Sequence, residues 1–317
     1  MDDAEDLALD AAQAIAAGSG AAQHAAVVVL GSGWAGALAA LGEIRWRMPA
    51  GSLPGFHAPT AVGHAGEVCS LDLDGHRVLV LSGRTHLYEG HGTAAVAHGV
   101  RTAAAAGART AVLTNANGSL RSDWPPGTGV VLTDHLNLTA KSPLVGARFV
   151  DLTRCWSPHL ATAALATDPA LVAGTYAMLP GPHYQSLAES RMLRSFGADV
   201  VGMSAVLEAI AACALGMSTL GLSVVTTVEL DDNGEHPALN DPDEVVEIAA
   251  ASATRLGAVI RTTLASELGV NIYDVEIAHS SEGDAGVVIV VVEAVLVERL
   301  HGGLIARGYR PSARNLE

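Results

Sequence analysis

Residues 197–228, GADVVGMSAVLEAIAACALGMSTLGLSVVTTV, decide the fold class. Asp199–Val201 reads as a short strand, Ala205–Leu215 as a helix and Ser218–Val228 as a second, apolar strand. Strand, helix, strand in one tract is the pattern of an α/β protein whose sheet is largely buried.

The alternation continues upstream. Residues 4–17 read as a helix and Ala25–Leu30 as a strand that stops at GSGWAG. Glu67–Leu73 and His76–Leu81 read as a hairpin turning at Asp74-Gly75. Gly92–Ala106 is Ala-rich and helical, and Thr110–Thr114 is a buried strand that ends at a NANGSL turn. Val130–Asp134 and Ala173–Met178 add strands, and Leu187–Phe196 a helix. Pro242–Leu268 is a long helical tract. Beyond it Asn271–Ala278 and Gly286–Val292 read as strands and Glu293–Arg307 as a helix, so residues 269–317 form an appended β-β-α unit. The expected architecture is a twisted mixed sheet flanked by helices over residues 1–268, with that small unit attached.

The 317 residues carry a formal net charge of −15, with only 18 Lys and Arg. This argues against nucleic acid or an anionic membrane as partner, since phosphate backbones need a basic face. Three cysteines without CxxC spacing suit a reducing cytoplasm and give no zinc signature. The acidic N-terminus has no signal-peptide pattern, and no apolar run is long enough to span a bilayer, so a cytoplasmic location is expected.

Four stretches carry chemistry. GSGWAG, Gly31–Gly36, fits a dinucleotide fingerprint, but no acidic residue at the end of a second strand follows it. What survives is a glycine turn whose amides, with Ser32, can approach an anion. LSGRTHLYEGHG, Leu81–Gly92, presents Arg84 and His86 two residues apart, on one side of an extended chain, where both can grip one oxyanion. A metal reading of His86, His91 and His98 lacks ligand spacing. TNANGSL, Thr114–Leu120, exposes backbone amides at a sheet edge where α/β folds bind ligands. In the fourth, Tyr184 and Gln185 precede a helix, and Ser204 is placed to N-cap the next helix while facing an anion. Glu208 reads as structural, Trp34 and Trp46 as packing residues, and Glu229, Asp231 and Asp232 as a solvated acidic loop. Trp156, in LTRCWSP, lies a few residues after Phe149.

In order and spacing, VVVLGSGW, LPGFHAPT, GHAGE, LSGRTHLYEGHG, GVRTAAAAGART, TNANGSL, DHLNLTAKSPL, GPHYQSLAESRML and GADVVGMS resemble the trimeric, low-molecular-mass purine nucleoside phosphorylases over roughly residues 5–265. The resemblance implies an enzyme that splits purine nucleosides with inorganic phosphate into free base and ribose 1-phosphate. It implies a homotrimer that needs no metal or organic cofactor. Phosphate would be held by Ser32, His64, Arg84, His86, Ala116 and Ser204. Tyr88 and Met203 would contact the ribose, Phe149 would reach a neighbouring subunit's sugar site, and Tyr184 would stack on the base. His86 and Thr227 are the residues placed at the chemistry, and Glu89 would order the loop by pairing with His86.

The base end departs from the family pattern. Gln185 stands where the family has Glu, Thr227 where it has Asn, and Asn117 and Ser119 change its NAAGG turn. Its His near LSHEE has no clear counterpart, ALNDPDEVV offering Asp241 instead. An amide shows guanine one mismatched donor, so a base preference shifted away from guanosine is expected. A degenerate phosphorylase that binds ligand without turnover is the alternative. The tail resembles the later part of an ACT domain without its first strand.

Overall fold

The computed structural model describes residues 3–58, 65–237, 240–269, 274–279 and 286–291. They divide into two compact units, Met1–Ala265 and Ser266–Glu317. His64 and the helix expected at Glu293–Arg307 lie outside the described residues.

In chain order the first unit contains α1 (Asp3–Ser19), β1 (Ala26–Leu30), α2 (Leu38–Leu41), β2 (Glu43–Pro49), β3 (Glu67–Leu73), β4 (His76–Ser82), α3 (Gly92–Val96) and α4 (His98–Ala105). There follow β5 (Thr110–Ser119), β6 (Gly129–Asn137), α5 (Pro158–Thr167), β7 (Val172–Met178), α6 (Leu187–Ser195), β8 (Val200–Gly202), α7 (Val206–Ala214) and β9 (Ser218–Val228). The helix α8 (Pro242–Leu268) comes last, its residues up to Ala265 in this unit.

Nine strands form one mixed sheet in the order β2-β3-β4-β1-β5-β8-β7-β6-β9, and β9 pairs with β5 as well as β6. The last five strands therefore close into a ring, which leaves no free edge there. β1 runs parallel to β4 and β5, and β5 parallel to β9, so these four end on the same side. The interior is built from small aliphatic side chains: all five residues of β1 are buried, with Val112, Leu113, Leu220 and Leu222 beside them. Such uninterrupted apolar strands fit a sheet covered on both faces.

Two strands depart from expectation. β2 is unforeseen, although EIRWRMP alternates in exposure along its whole length as a half-buried strand does. β5 does not end at Thr114 but continues through the expected turn to Ser119. Asparagine is poor in strands, but here the amides of Asn115 and Asn117 both bond Ser223 of β9.

Between Asn117 and Gly118 the β5–β9 register jumps, Asn117 facing Val225 and Gly118 facing Thr227. Thr226 is thus an extra residue, a β-bulge that interrupts the alternation of side chains. In the second unit, Asp274–His279 (β10) and Gly286–Val291 (β11) form an antiparallel hairpin, Asp274 opposite Val291.

Candidate active site

A cleft of about 310 Å³ opens where β1, β4 and β9 end, along the second half of β5. Ser32, Arg84, His86, Tyr88, Ala116, Tyr184, Gln185, Met203, Ser204 and Thr227 all line it. Ten expected site residues from six separate stretches of sequence thus meet in one place. Phe149 does not: it is 93% exposed on this single chain.

One end of the cleft is cationic. Arg84 follows β4 and is 6% exposed. Its Nε lies 2.9 Å from the Glu208 carboxylate of α7, and its Nη1 donates to the Thr114 carbonyl in β5. Its Nη2 is buried with no hydrogen-bond partner among the described residues. A buried guanidinium with an unpaired N–H beside a cleft is a place for an anion. Burial pushes the Glu208 carboxyl up, and the Arg84 guanidinium pulls it down. Asn115 adds a second buried donor without a partner among the described residues, its Nδ2.

His86 is held beside Arg84 by a local device. Its backbone N–H donates to Glu89 Oε1 at 2.6 Å, and the same carboxylate oxygen lies 3.4 Å from the ring Nδ1. The pairing expected between Glu89 and His86 is therefore present. Burial, and after it the Arg84 charge, lowers the imidazole to about 4 against the opposing pull of Glu89. At neutral pH the ring is uncharged, its single N–H serves either Glu89 or an anion, and Arg84 supplies the charge. It stacks on Tyr88, ring centroids 4.8 Å apart.

The glycine turn after β1 is clamped to β5. Gly31 N–H donates to Thr114 Oγ1 at 3.0 Å, and the Trp34 indole donates to the Asn115 carbonyl at 3.1 Å. Gly33 adopts φ 77°, and a Cβ there would stand 2.6 Å from Ala249 of α8. Its glycine serves close helix packing, with Trp34 as a core residue.

Ser204 does not cap α7. The capping position falls on Ala205, whose φ of 72° and ψ of −39°, with Val206 N–H bonding the Ser204 carbonyl at 3.0 Å, make a strained γ-turn. The Glu208 carboxylate accepts from Ala205 N–H at 3.1 Å, so one buried carboxylate holds both this turn and Arg84. Ser204 N–H lies 3.3 Å from the Tyr176 hydroxyl, to which it donates.

The other end of the cleft is formed by Tyr184, Gln185, Thr227 and Glu229. Here the expectation of a solvated acidic loop fails for Glu229, which is 1% exposed. Its carboxylate accepts from Thr227 Oγ1 at 2.9 Å and Asn240 Nδ2 at 3.3 Å, and lies 2.7 Å from His236 Nε2. The sequence signal was present in ELDDNGEHPALN, where a histidine and an asparagine follow the acid at loop distance. Asp231 and Asp232 keep their places in the loop, Asp231 accepting from Asn233 and Glu235 N–H groups.

Asp241, offered as the stand-in for a missing histidine, instead accepts from Asp243 N–H at 2.9 Å at the start of α8. Aspartate followed by proline is the expected chemistry for that start. Trp156 is buried in the core, its indole donating to His135 Nδ1 at 3.1 Å. His98 bonds the Pro54 carbonyl and His91 stacks on His57, so these rings do not converge with His86. Among the described residues no group of His, Cys, Asp and Glu is arranged to hold a metal ion. No helix among them is long and apolar enough to cross a membrane.

An α/β protein with a closed strand ring and a cleft that is cationic at one end and aromatic-amide at the other is built to hold an anion against a planar ring. The model of the Phosphorylase superfamily matches residues 25–265, and the chain belongs to that family. It is 53% identical to the purine nucleoside phosphorylase of Mycobacterium tuberculosis over 263 residues, 83% of this chain and 97% of that one. It is 48% identical to the enzyme of the same name from Cellulomonas over 80% of this chain and 91% of that one. The fold matches a Schistosoma mansoni purine nucleoside phosphorylase solved with adenosine, with TM-score 0.72 and 28% identity over 80% of this chain and 94% of that one.

Proposed function

We propose that this enzyme splits purine nucleosides by phosphorolysis, with phosphate at the Arg84 end of the cleft and the purine at the Tyr184 end. The observation that carries the reading is Arg84: a buried guanidinium fixed by Glu208, with Nη2 unpartnered among the described residues, at one end of a nucleoside-sized cleft. Ser32, His86, the Ala116 amide and Ser204 surround the same anion. His64 is assigned to it on the resemblance alone. Tyr88 and Met203 border the sugar between the two ends.

A phosphate oxygen attacks C1′ of the ribosyl group, the C1′–N9 bond breaks, and its electron pair passes to the purine. Holding phosphate beside a developing oxocarbenium charge stabilises the transition state more than the substrates. The departing base takes up a solvent proton at N7, and the Thr227 oxygen accepts from the new N–H. Phosphate is a co-substrate.

Gln185 in place of a carboxylate disfavours guanosine, because its single acceptor is taken by N1–H and the guanine 2-amino group is left without one. Phe149 serves a neighbouring copy's sugar site in a homotrimer, and its 93% exposure on one chain leaves it available for that. The β10–β11 hairpin belongs to an ACT-like appendage. The reading is tested by base release from inosine, adenosine and guanosine with and without phosphate. Release only with phosphate is expected, and equal release without it would make the protein a hydrolase.

A further inference from the structure

The base end holds one polar array that phosphate binding does not use. Thr227 donates its hydroxyl proton to Glu229, which is also bonded by Asn240 and lies 2.7 Å from His236 Nε2. A hydroxyl has one proton. With that proton spent on Glu229, Thr227 Oγ offers a ligand only lone pairs, backed by a buried negative charge. Across the same end, Gln185 is 9% exposed and its Nε2 is buried with no hydrogen-bond partner among the described residues.

We propose that the Thr227–Glu229–His236 array, with Gln185, selects a 6-aminopurine nucleoside over a 6-oxopurine one. The inference rests on the phosphorolysis reading and names its substrate class. An exocyclic amino group carries two hydrogens, one directed towards N1 and one towards N7. Gln185 spans the first side, its carbonyl accepting from the amino group and its amide donating to N1. The second hydrogen meets Thr227 Oγ. In a 6-oxopurine the same place holds an oxygen lone pair, which would face the lone pairs of Thr227 and the charge of Glu229.

Gln185 alone does not discriminate, because its amide can turn to match N1–H and a 6-oxo group. Thr227 cannot turn its proton to the base without abandoning Glu229. The array is therefore the specificity determinant. Its fixed direction is worth about 10- to 100-fold, the cost of leaving like groups opposed.

Two measurements on the full chain decide this. The first is kcat/KM for adenosine and inosine in the native protein, Glu229→Gln and Thr227→Asn. The second is calorimetric binding of adenine and hypoxanthine in the presence of phosphate. Adenosine favoured at least 10-fold is expected, with the ratio collapsing towards one in both variants as inosine gains. Should Glu229→Gln fail to fold, Thr227→Asn carries the test. Inosine equal to or better than adenosine, or a ratio unchanged in the variants, overturns the proposal. Adenine binding more tightly than hypoxanthine without any phosphate-dependent cleavage would sink the phosphorolysis reading and leave the selectivity standing. Hypoxanthine binding as tightly as adenine, or neither base binding, would sink the selectivity.

Discussion

Arg84 gains its place from two residues far away in the chain, Glu208 and Thr114, which fix its guanidinium before any ligand arrives. Preorganised charge of this kind costs no reorganisation at the moment of reaction. Glu208→Gln removes the charge that orients Arg84 and weakens the acceptor for Ala205 N–H. The expected result is a loss of about 1–3 kcal/mol in stability. KM for phosphate should rise while KM for nucleoside stays unchanged. A change in nucleoside KM alone would contradict the assignment of this end.

Two buried imidazoles give stability a dependence on pH. His24, in contact with Ser70 and near Arg77, is lowered by burial to about 4, and His86, between Arg84 and Glu89, likewise. Their folded values lie below the unfolded 6.5, so the unfolded chain binds more protons between these limits. Their contribution is complete above about pH 6.5 and is lost as pH falls towards 4, on the order of 2–3 kcal/mol per group. Denaturant titrations at pH 7, 5.5 and 4.5 should show the decline, and His24→Asn should remove part of it. A flat profile would place these rings in contact with water.

At the scale of elements, the site depends on how β5 and β9 run side by side. The bulge at Thr226 lets Thr226 bond the Asn117 carbonyl at 3.0 Å while Thr227 faces Glu229. Gly118 on β5 leaves room for that carboxylate, and a Cβ there would collide with it. Gly118→Ala should therefore cost about 1–3 kcal/mol and weaken base binding more than phosphate binding. Wild-type adenine affinity in that variant would show that Glu229 does not shape the base end. The alternation of strand and helix was legible in sequence because its apolar runs are long and bounded by turn residues. The length of β5 was not. Asn115 and Asn117 disfavour a strand by themselves and are carried into one by Ser223, more than a hundred residues downstream. The burial of Glu229 was hidden for the same reason: its partners His236 and Asn240 convert a charged loop residue into a buried one.

At the scale of the whole molecule, the ring of β5, β8, β7, β6 and β9 joins strands distant in sequence, and no local pattern announces it. The motifs of the cleft could be read one by one, since each sits beside a strand end. That they line one cavity follows only from the ring and its parallel partners β1 and β4. Phe149 lies apart from that cavity, and under the proposed function a neighbouring copy would complete it through this residue. Light scattering should give the mass of three chains. Phe149→Ala should lower kcat/KM for nucleoside about 10-fold or more, with stability unchanged, as loss of one aromatic contact at a desolvated site does. A fully active monomer would contradict the shared site.

One assay decides what the cleft does: release of base from inosine, adenosine and guanosine by purified protein, with and without phosphate. Phosphate-dependent release with ribose 1-phosphate as the second product is the predicted result, with guanosine the poorest of the three. Folded protein that releases no base from any of them, or releases it equally without phosphate, would contradict the assignment of Arg84 and the cleft around it.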